Sequence, residues 1–277
     1  MLLNLESIAS NNNSGQILIN GVDITRHDRV PFFSMVGQEN DLFRGLNLVE
    51  NVKYGSDNIL NRCTGNPQVI AEKKKVALEN AAVDSQLQPV VDKLKDGWNS
   101  SVGPRGRLLS GGERQRVCLA RALYRQEISL AANILPGSEN NSNGNSDKSS
   151  SSGCILLMDE VTSSLDAKTE SIVIDAIMSR VKKGATAVLI AHRLSSVQQC
   201  DLILVMRDGE IIERGNHSEL IRNGQNSSRN VSIPKNTSIS NLESKIGWYS
   251  EAWNLQSSSP VIRSKLTLNL QAEEQEL

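Results

Sequence analysis

An α/β fold built on a mostly parallel sheet is predicted by three observations on this chain. Ile155 to Met158 and Ala187 to Ile190 are continuous apolar runs, the pattern of strands buried on both faces of a parallel sheet. Between them Ile172, Val173, Ala176, Ile177 and Val181 recur at helical spacing, so that strand, helix and strand alternate. A long helical pattern follows the Ser110-Gly111-Gly112 turn, where Val117, Leu119, Ala120, Leu123 and Tyr124 mark one apolar face.

The remaining elements are placed in order. Gly15 to Ile24 alternates Ile17, Ile19, Val22 and Ile24 around Asn20-Gly21, a pair that takes the positive backbone angles of a tight turn, so an antiparallel hairpin is expected. Residues 1–13 ahead of it are expected to be disordered. Phe33 to Val36 is a short strand ending just before Gln38. Leu42, Phe43, Leu46 and Val49 then lead into a lysine-rich stretch with helical spacing at Val76, Ala77, Ala81 and Ala82, and Ser56 to Arg107 is expected to be a mainly helical insert. Leu202 to Met206, the Asp208-Gly209 turn and Glu210 to Glu213 form a second hairpin. Two stretches, Gly137 to Gly153 and Asn223 to Ser240, consist largely of Ser, Asn and Gly. Neither can bury enough apolar surface to offset the ordering of the chain, so both are expected to be solvated.

Composition narrows the function classes. A chain of 277 residues with 38% hydrophobic content can bury a full core, and a formal net charge of -1 provides no basic field for nucleic acid or an anionic lipid surface. No nucleic-acid partner is expected. Cys63, Cys118, Cys154 and Cys200 are widely spaced, without a CxxC pair, which argues against a metal or disulfide framework and for a reducing compartment. The apolar runs are too short to span a bilayer, and the N-terminus lacks the basic start and long apolar stretch of a secretion signal.

Several residues carry candidate chemistry, each beside a plain structural reading. Ser110-Gly111-Gly112 can be a simple helix cap; alternatively its backbone N–H groups, aided by the helix dipole, can hold a terminal phosphate, with the Ser110 hydroxyl as a further donor. Asp159 and Glu160 can be solvent-facing residues at a strand end. Parallel strands, however, place ligands beyond their carboxyl ends, where Asp159 would hold Mg²⁺ and Glu160 would orient the attacking water. His192 can be a packing residue or a reader of the γ-phosphate, Gln38 a surface amide or a contact to Mg²⁺ and the lytic water, and Asp166 a helix cap.

Taken in order, Gln38, LSGGE at Leu109 to Glu113, ILLMDE at Ile155 to Glu160, SSLD at Ser163 to Asp166 and His192 resemble the nucleotide-binding domain of ATP-binding-cassette (ABC) transporters. There they would be the Q-loop, signature, Walker B, D-loop and switch histidine. The resemblance implies a P-loop NTPase-like cassette over residues 14–222, with a helical subdomain over about 56–125 and an insertion at 137–153. A polar linker at 223–246 and a helical tail at 247–277 would follow. SGGERQRVCLARALYR, TSSLDAKTE and DGEIIERGNHSEL are similar to the exporter branch, and WYSEAWNLQSS at Trp248 to Ser258 is similar to half-size exporters of the mitochondrial iron-sulphur and heavy-metal-tolerance group.

The resemblance also implies ATP and Mg²⁺ as ligands, a second cassette bound head to tail, and a transmembrane domain outside this chain that would put the cassette on the cytosolic or matrix side of a membrane. Gln38, Asp159, Glu160 and His192 would belong to the chain's own site. Ser110, Gly111, Gly112, Glu113 and Asp166 would reach toward nucleotide held by the partner. Three departures from the family pattern stand out, one of them the Ser/Asn-rich insertion at 137–153, expected to be a surface loop. The pair Gly-Lys, the core of the Walker A loop, never occurs, so the first strand and phosphate loop are expected to be missing and the chain alone to be inactive. Pro104 stands where exporters usually carry a glutamate that meets the coupling helices. Two further readings are a non-catalytic partner cassette that lends its signature in trans, and the DNA-repair and chromosome-structure ATPases. The latter carry long heptad arms, and no sustained heptad separates Gln38 from Ser110.

Overall fold

The computed structural model describes residues 18–19, 22–23, 33–61, 66–132, 154–229 and 247–257. Residues 1–13, the insertion 137–153 and most of 223–246 lie outside these. The described chain forms two compact units, residues 1–190 and residues 191–277.

In the first unit β1 (Leu18–Ile19) and β2 (Val22–Asp23) pair antiparallel, Ile19 opposite Val22, on either side of Asn20-Gly21 as the hairpin reading requires. β3 (Phe33–Val36), β4 (Ile155–Asp159) and β5 (Ala187–Ile190) form a parallel sheet in the order β3-β4-β5. Val36 lies opposite Met158, and Met158 opposite Leu189, so all three strands end at one edge.

Helices α1 (Leu48–Lys53), α2 (Asp57–Asn61), α3 (Pro67–Asp84) and α4 (Gln88–Lys93) make up the helical insert, which begins eight residues before Ser56. Asn47 starts α1 early by closing a capping box with Glu50, which satisfies two backbone donors at once. In α3 Ala77, Ala81 and Ala82 are buried while Val76 is exposed. The small alanine side chains let α3 approach α5 (Gly111–Ala131), and Val76 falls off that narrow contact stripe. α5 is the spine of the unit. Val117, Leu119, Ala120, Leu123 and Tyr124 are all buried, and helices α1, α2 and α3 together with β3 pack around it. Ser34 donates to the Ala122 carbonyl at 2.7 Å and Arg125 Nε to the Phe33 carbonyl at 3.0 Å, tying α5 to the sheet.

Two expectations are corrected. β5 is not buried on both faces: Ala187 and Leu189 pack on the core, but Val188 and Ile190 are exposed. Among the described residues β5 pairs only with β4, and the core lies against the face that Ala187 and Leu189 share. The buried stripe of α6 (Ala167–Lys182) is Glu170, Val173, Ile174, Ile177 and Arg180, whereas Ile172 is exposed and Ala176 and Val181 are half-buried. The helix is rotated because two charged side chains have polar partners inside. Arg180 donates to Asp84 of α3 at 2.8 Å and to Gln126 of α5 at 3.1 Å, and Thr162 donates to Glu170 at 3.2 Å. A buried charge with such partners can displace an apolar residue from the core face.

The second unit holds α7 (Leu194–Val197), the antiparallel pair β6 (Ile203–Arg207) and β7 (Glu210–Gly215), α8 (His217–Arg229) and α9 (Trp248–Ser257). Asp208 and Gly209, with φ of 51° and 85°, make the tight turn of the expected hairpin. α8 runs to Arg229, beyond the expected start of the linker at residue 223, and of the tail expected at 247–277 the described part holds α9. Ile203, Val205, Leu220 and Tyr249 form the core of this unit.

Candidate nucleotide site

Gln38, Asp159 and Glu160 gather at one sheet edge because the strands are in register. Gln38 lies two residues past Val36 of β3, and Asp159 and Glu160 directly follow Met158, its partner on β4. The Glu160 main chain is fixed on both sides: its N–H donates to the Ile190 carbonyl at 2.9 Å, and its carbonyl accepts from Gln115 Nε2 at 3.0 Å. Glu160 is held at φ 51°, a left-handed conformation that costs a non-glycine residue about 1–3 kcal/mol. The surrounding bonds keep it there.

Ser110 caps α5. Its hydroxyl accepts from the Glu113 N–H at 3.3 Å, and its own N–H donates to the Glu113 carboxylate at 2.8 Å, closing a capping box. That same backbone bond holds the Glu113 carboxyl below its usual value, with a smaller contribution from the Ser110 hydroxyl. The first N–H groups of a helix have no partner within it, and here Glu113 and Arg114 bond back to Ser110. The N–H groups of Gly111 and Gly112, at the first two positions of this 21-residue helix, likewise have no partner within it among the described residues, and they lie at its positive end.

Gly112 also has a steric role. A Cβ there would lie 2.9 Å from the Ser164 carbonyl oxygen, so the Ser163-to-Asp166 turn approaches the glycine turn as closely as only glycine allows. Gln115, one turn further on, closes this contact. Besides reaching Glu160 it lies 3.4 Å from the Ser163 hydroxyl and accepts from the Ser164 N–H at 3.0 Å. Asp166 caps α6, accepting from the Lys168 and Thr169 N–H groups and from the Thr169 hydroxyl at 2.7 Å. The Thr169 hydroxyl, then the Thr169 N–H, lower its pKa.

Gln38 and Gly111 line one cleft with Glu39, Arg105, Arg114 and Ser164. His192 belongs to the second unit, two residues past the end of β5, where its carbonyl accepts from Gln256 Nε2 at 3.1 Å. Sequence reasoning missed Gln115 and Arg105. A polar side chain one helical turn before Leu119, on the buried face of α5, was the available signal for Gln115.

Among the described residues no group of three His, Cys, Asp or Glu side chains is arranged to hold a metal. Mg²⁺ is ordinarily held by one or two carboxylates with water and substrate phosphates, a donor set for which Asp159 and the Gln38 amide suffice.

Comparison with known proteins identifies the family. Residues 1–131 match the family model of the ABC transporter. The chain is 35% identical over 210 residues to ABC transporter BEA3 of Gibberella fujikuroi, covering 75% of this chain and 13% of that protein. It is 32% identical over 223 residues to the ATP-dependent lipid A-core flippase of Pseudomonas aeruginosa, covering 79% and 30%. Among solved structures, a bacterial Atm1-family ABC exporter with ATP bound matches 89% of this chain and 32% of its own length, with a TM-score of 0.60 and 27% identity. The chain thus spans less than a third of the length of these relatives. The parallel α/β fold agrees with these matches: the chain belongs to the ABC transporter family, as a nucleotide-binding domain of the exporter branch.

Proposed function

We propose that this domain works in a cassette pair, with its signature turn serving nucleotide held by the second cassette and its strand-end carboxylates serving the chain's own site. The observation that carries this reading is the start of α5, where two glycine N–H groups remain beyond a closed capping box at the positive end of a long helix. A nucleotide phosphate is the ligand such a start fits.

In the chain's own site Asp159 and Gln38 would hold Mg²⁺, which neutralises phosphate charge when bound. Glu160, fixed through both peptide groups, would orient the attacking water, and His192 would bond the γ-phosphate. Ser110, Gly111 and Gly112 would face the partner's nucleotide, with Glu113 and Asp166 holding their turns in shape. Within an exporter the domain would couple ATP binding and hydrolysis to transport; the chain contains no Gly-Lys pair to cradle the β- and γ-phosphates, so by itself it is expected to bind ATP weakly, and the second reading is a non-catalytic cassette that lends its signature in trans. Transport and membrane attachment would depend on a transmembrane domain, as in the exporters that this chain resembles; no described helix is long and apolar enough to cross a membrane. Its cassette would face the cytosol or the mitochondrial matrix. Pro104, in a short 3₁₀ turn with Arg105, offers that domain no carboxylate.

The test is ATP-dependent association with an intact exporter cassette, followed by analytical ultracentrifugation. Association that is lost on Ser110→Arg is expected; a chain that stays monomeric with ATP overturns the reading. Negligible ATPase activity is expected for the chain alone, and turnover abolished by Glu160→Gln would disprove that part.

A further inference from the structure

We propose that Gln256 of the C-terminal helix is a positioning residue for His192, making α9 part of the apparatus that reads nucleotide. The inference rests on the proposed role of His192, but the contact that carries it lies wholly within the second unit. The Gln256 side-chain amide brackets the segment that bears the histidine. Its Nε2 donates to the His192 carbonyl at 3.1 Å, and its Oε1 accepts from the Leu194 N–H at 3.0 Å. Both halves of one planar amide are thereby used on main chain two residues apart, so a single side chain restrains the backbone on either side of Arg193.

The segment needs such a restraint. α7 begins at Leu194, and the residue in its cap position is Arg193, whose side chain has donors only and cannot accept from the first N–H groups of the helix. Caps normally come from an Asn, Asp, Ser or Thr at that position. Here the acceptor arrives from 62 residues further along the chain, and the same group donates to the carbonyl of the histidine itself.

The other end of α9 is fixed to α8 and β7, so the bracket is mounted on a rigid support. Tyr249 is buried in the cluster of Ile203, Val205 and Leu220, its hydroxyl lies 3.0 Å from His217 Nδ1, and its N–H donates to Glu213 at 3.3 Å. Trp253 packs edge-on against the His217 ring at 4.5 Å. The helices also cross at paired glycines: a Cβ on Gly247 would lie 2.5 Å from the Gly224 Cα. Seven residues, or about 10 Å of helix, separate Tyr249 from Gln256. A helix held so firmly at one end transmits its position to the His192 segment at the other.

The experiment is NMR on the full chain labelled at histidine and on backbone amides, at one pH and without nucleotide. Only three histidines are present, so their ring signals can be separated. Gln256→Ala is expected to move and broaden the His192 signal, leave that of His217 in place, and raise Leu194 amide exchange about fivefold, the effect of losing one ordinary hydrogen bond. Gln256→Glu keeps the acceptor but loses the donor: Leu194 exchange should stay near that of the parent while the His192 signal still moves. The proposal is overturned by an unmoved His192 signal in both variants. It is also overturned if His217 shifts as much as His192, because the amide would then merely hold the helix down. Since no nucleotide is involved, failure here leaves the signature role of Ser110 standing, and failure of ATP-dependent association leaves the bracket standing.

Discussion

Gln115 is the residue on which the site's internal geometry turns. It is 2% exposed, and it joins α5 both to the peptide of Glu160 and to the turn at Ser164. Removing it takes away two part-buried hydrogen bonds, each worth about 0.5–1.5 kcal/mol, so Gln115→Ala should lower stability by about 1–2 kcal/mol in denaturant unfolding. The Ser164 amide should exchange faster as well; an unfolding midpoint within error of the parent would contradict this. Glu113 sets a pH dependence. Its carboxyl is held below the ordinary 4.5, so the stability it adds is complete above that value and is lost as pH falls through the lowered one. Compared with Glu113→Gln, the parent's advantage should be constant above about pH 6 and shrink below about pH 4.5, as read from thermal unfolding at each pH. Residue types were legible from sequence here, since Ser110 with Glu113 three positions on is a capping pattern. The left-handed φ of Glu160 was not, because the bonds from Ile190 and Gln115 impose it from distant parts of the chain.

At the scale of elements, α5 was the most readable. Its five expected core positions are all buried, because a helix surrounded by other elements needs only an apolar pattern to find its place. α6 was misread by part of a turn. Apolar periodicity assumes that charge faces water, whereas Arg180 is drawn inward by Asp84, Gln126 and Glu127, the last at 3.0 Å. This joint connects α3, α5 and α6. Arg180→Ala takes the buried guanidinium from two half-buried carboxylates that water can still reach and should cost about 1–3 kcal/mol, whereas Arg180→Lys, able to satisfy only one partner, should recover part of that loss. A loss below about 1 kcal/mol in chemical denaturation would mean the joint is incidental. β5 was misread for a related reason: an apolar run promises two buried faces, and how many it obtains depends on what packs beside it.

The two units of the molecule differ in how much core they hold. Helices and sheet of the first unit enclose one large cluster spanning Val36 to Ile177, whereas the second is held by Ile203, Val205, Leu220 and Tyr249 with a few half-buried neighbours. Smaller buried apolar area means lower local opening energy. Amides of β6 and β7 should therefore exchange before those of β4 in native-state hydrogen exchange, and Tyr249→Ala should widen that gap without altering β4. Equal protection of the two sheets would refute the difference.

Sequence alone determined the family, the order of its motifs, both hairpins, the central helix and the strand-end placement of Asp159 and Glu160. Each of these rests on local spacing or on residue types that a turn, a cap or an anion requires. Tertiary structure decided which charges go inside, which face of β5 stays open, that Gln115 clamps Glu160, and that a glutamine near the C-terminus holds the segment of His192. Those are contacts between residues tens of positions apart, and one-dimensional periodicity carries no information about which distant side chain arrives to satisfy a given backbone group.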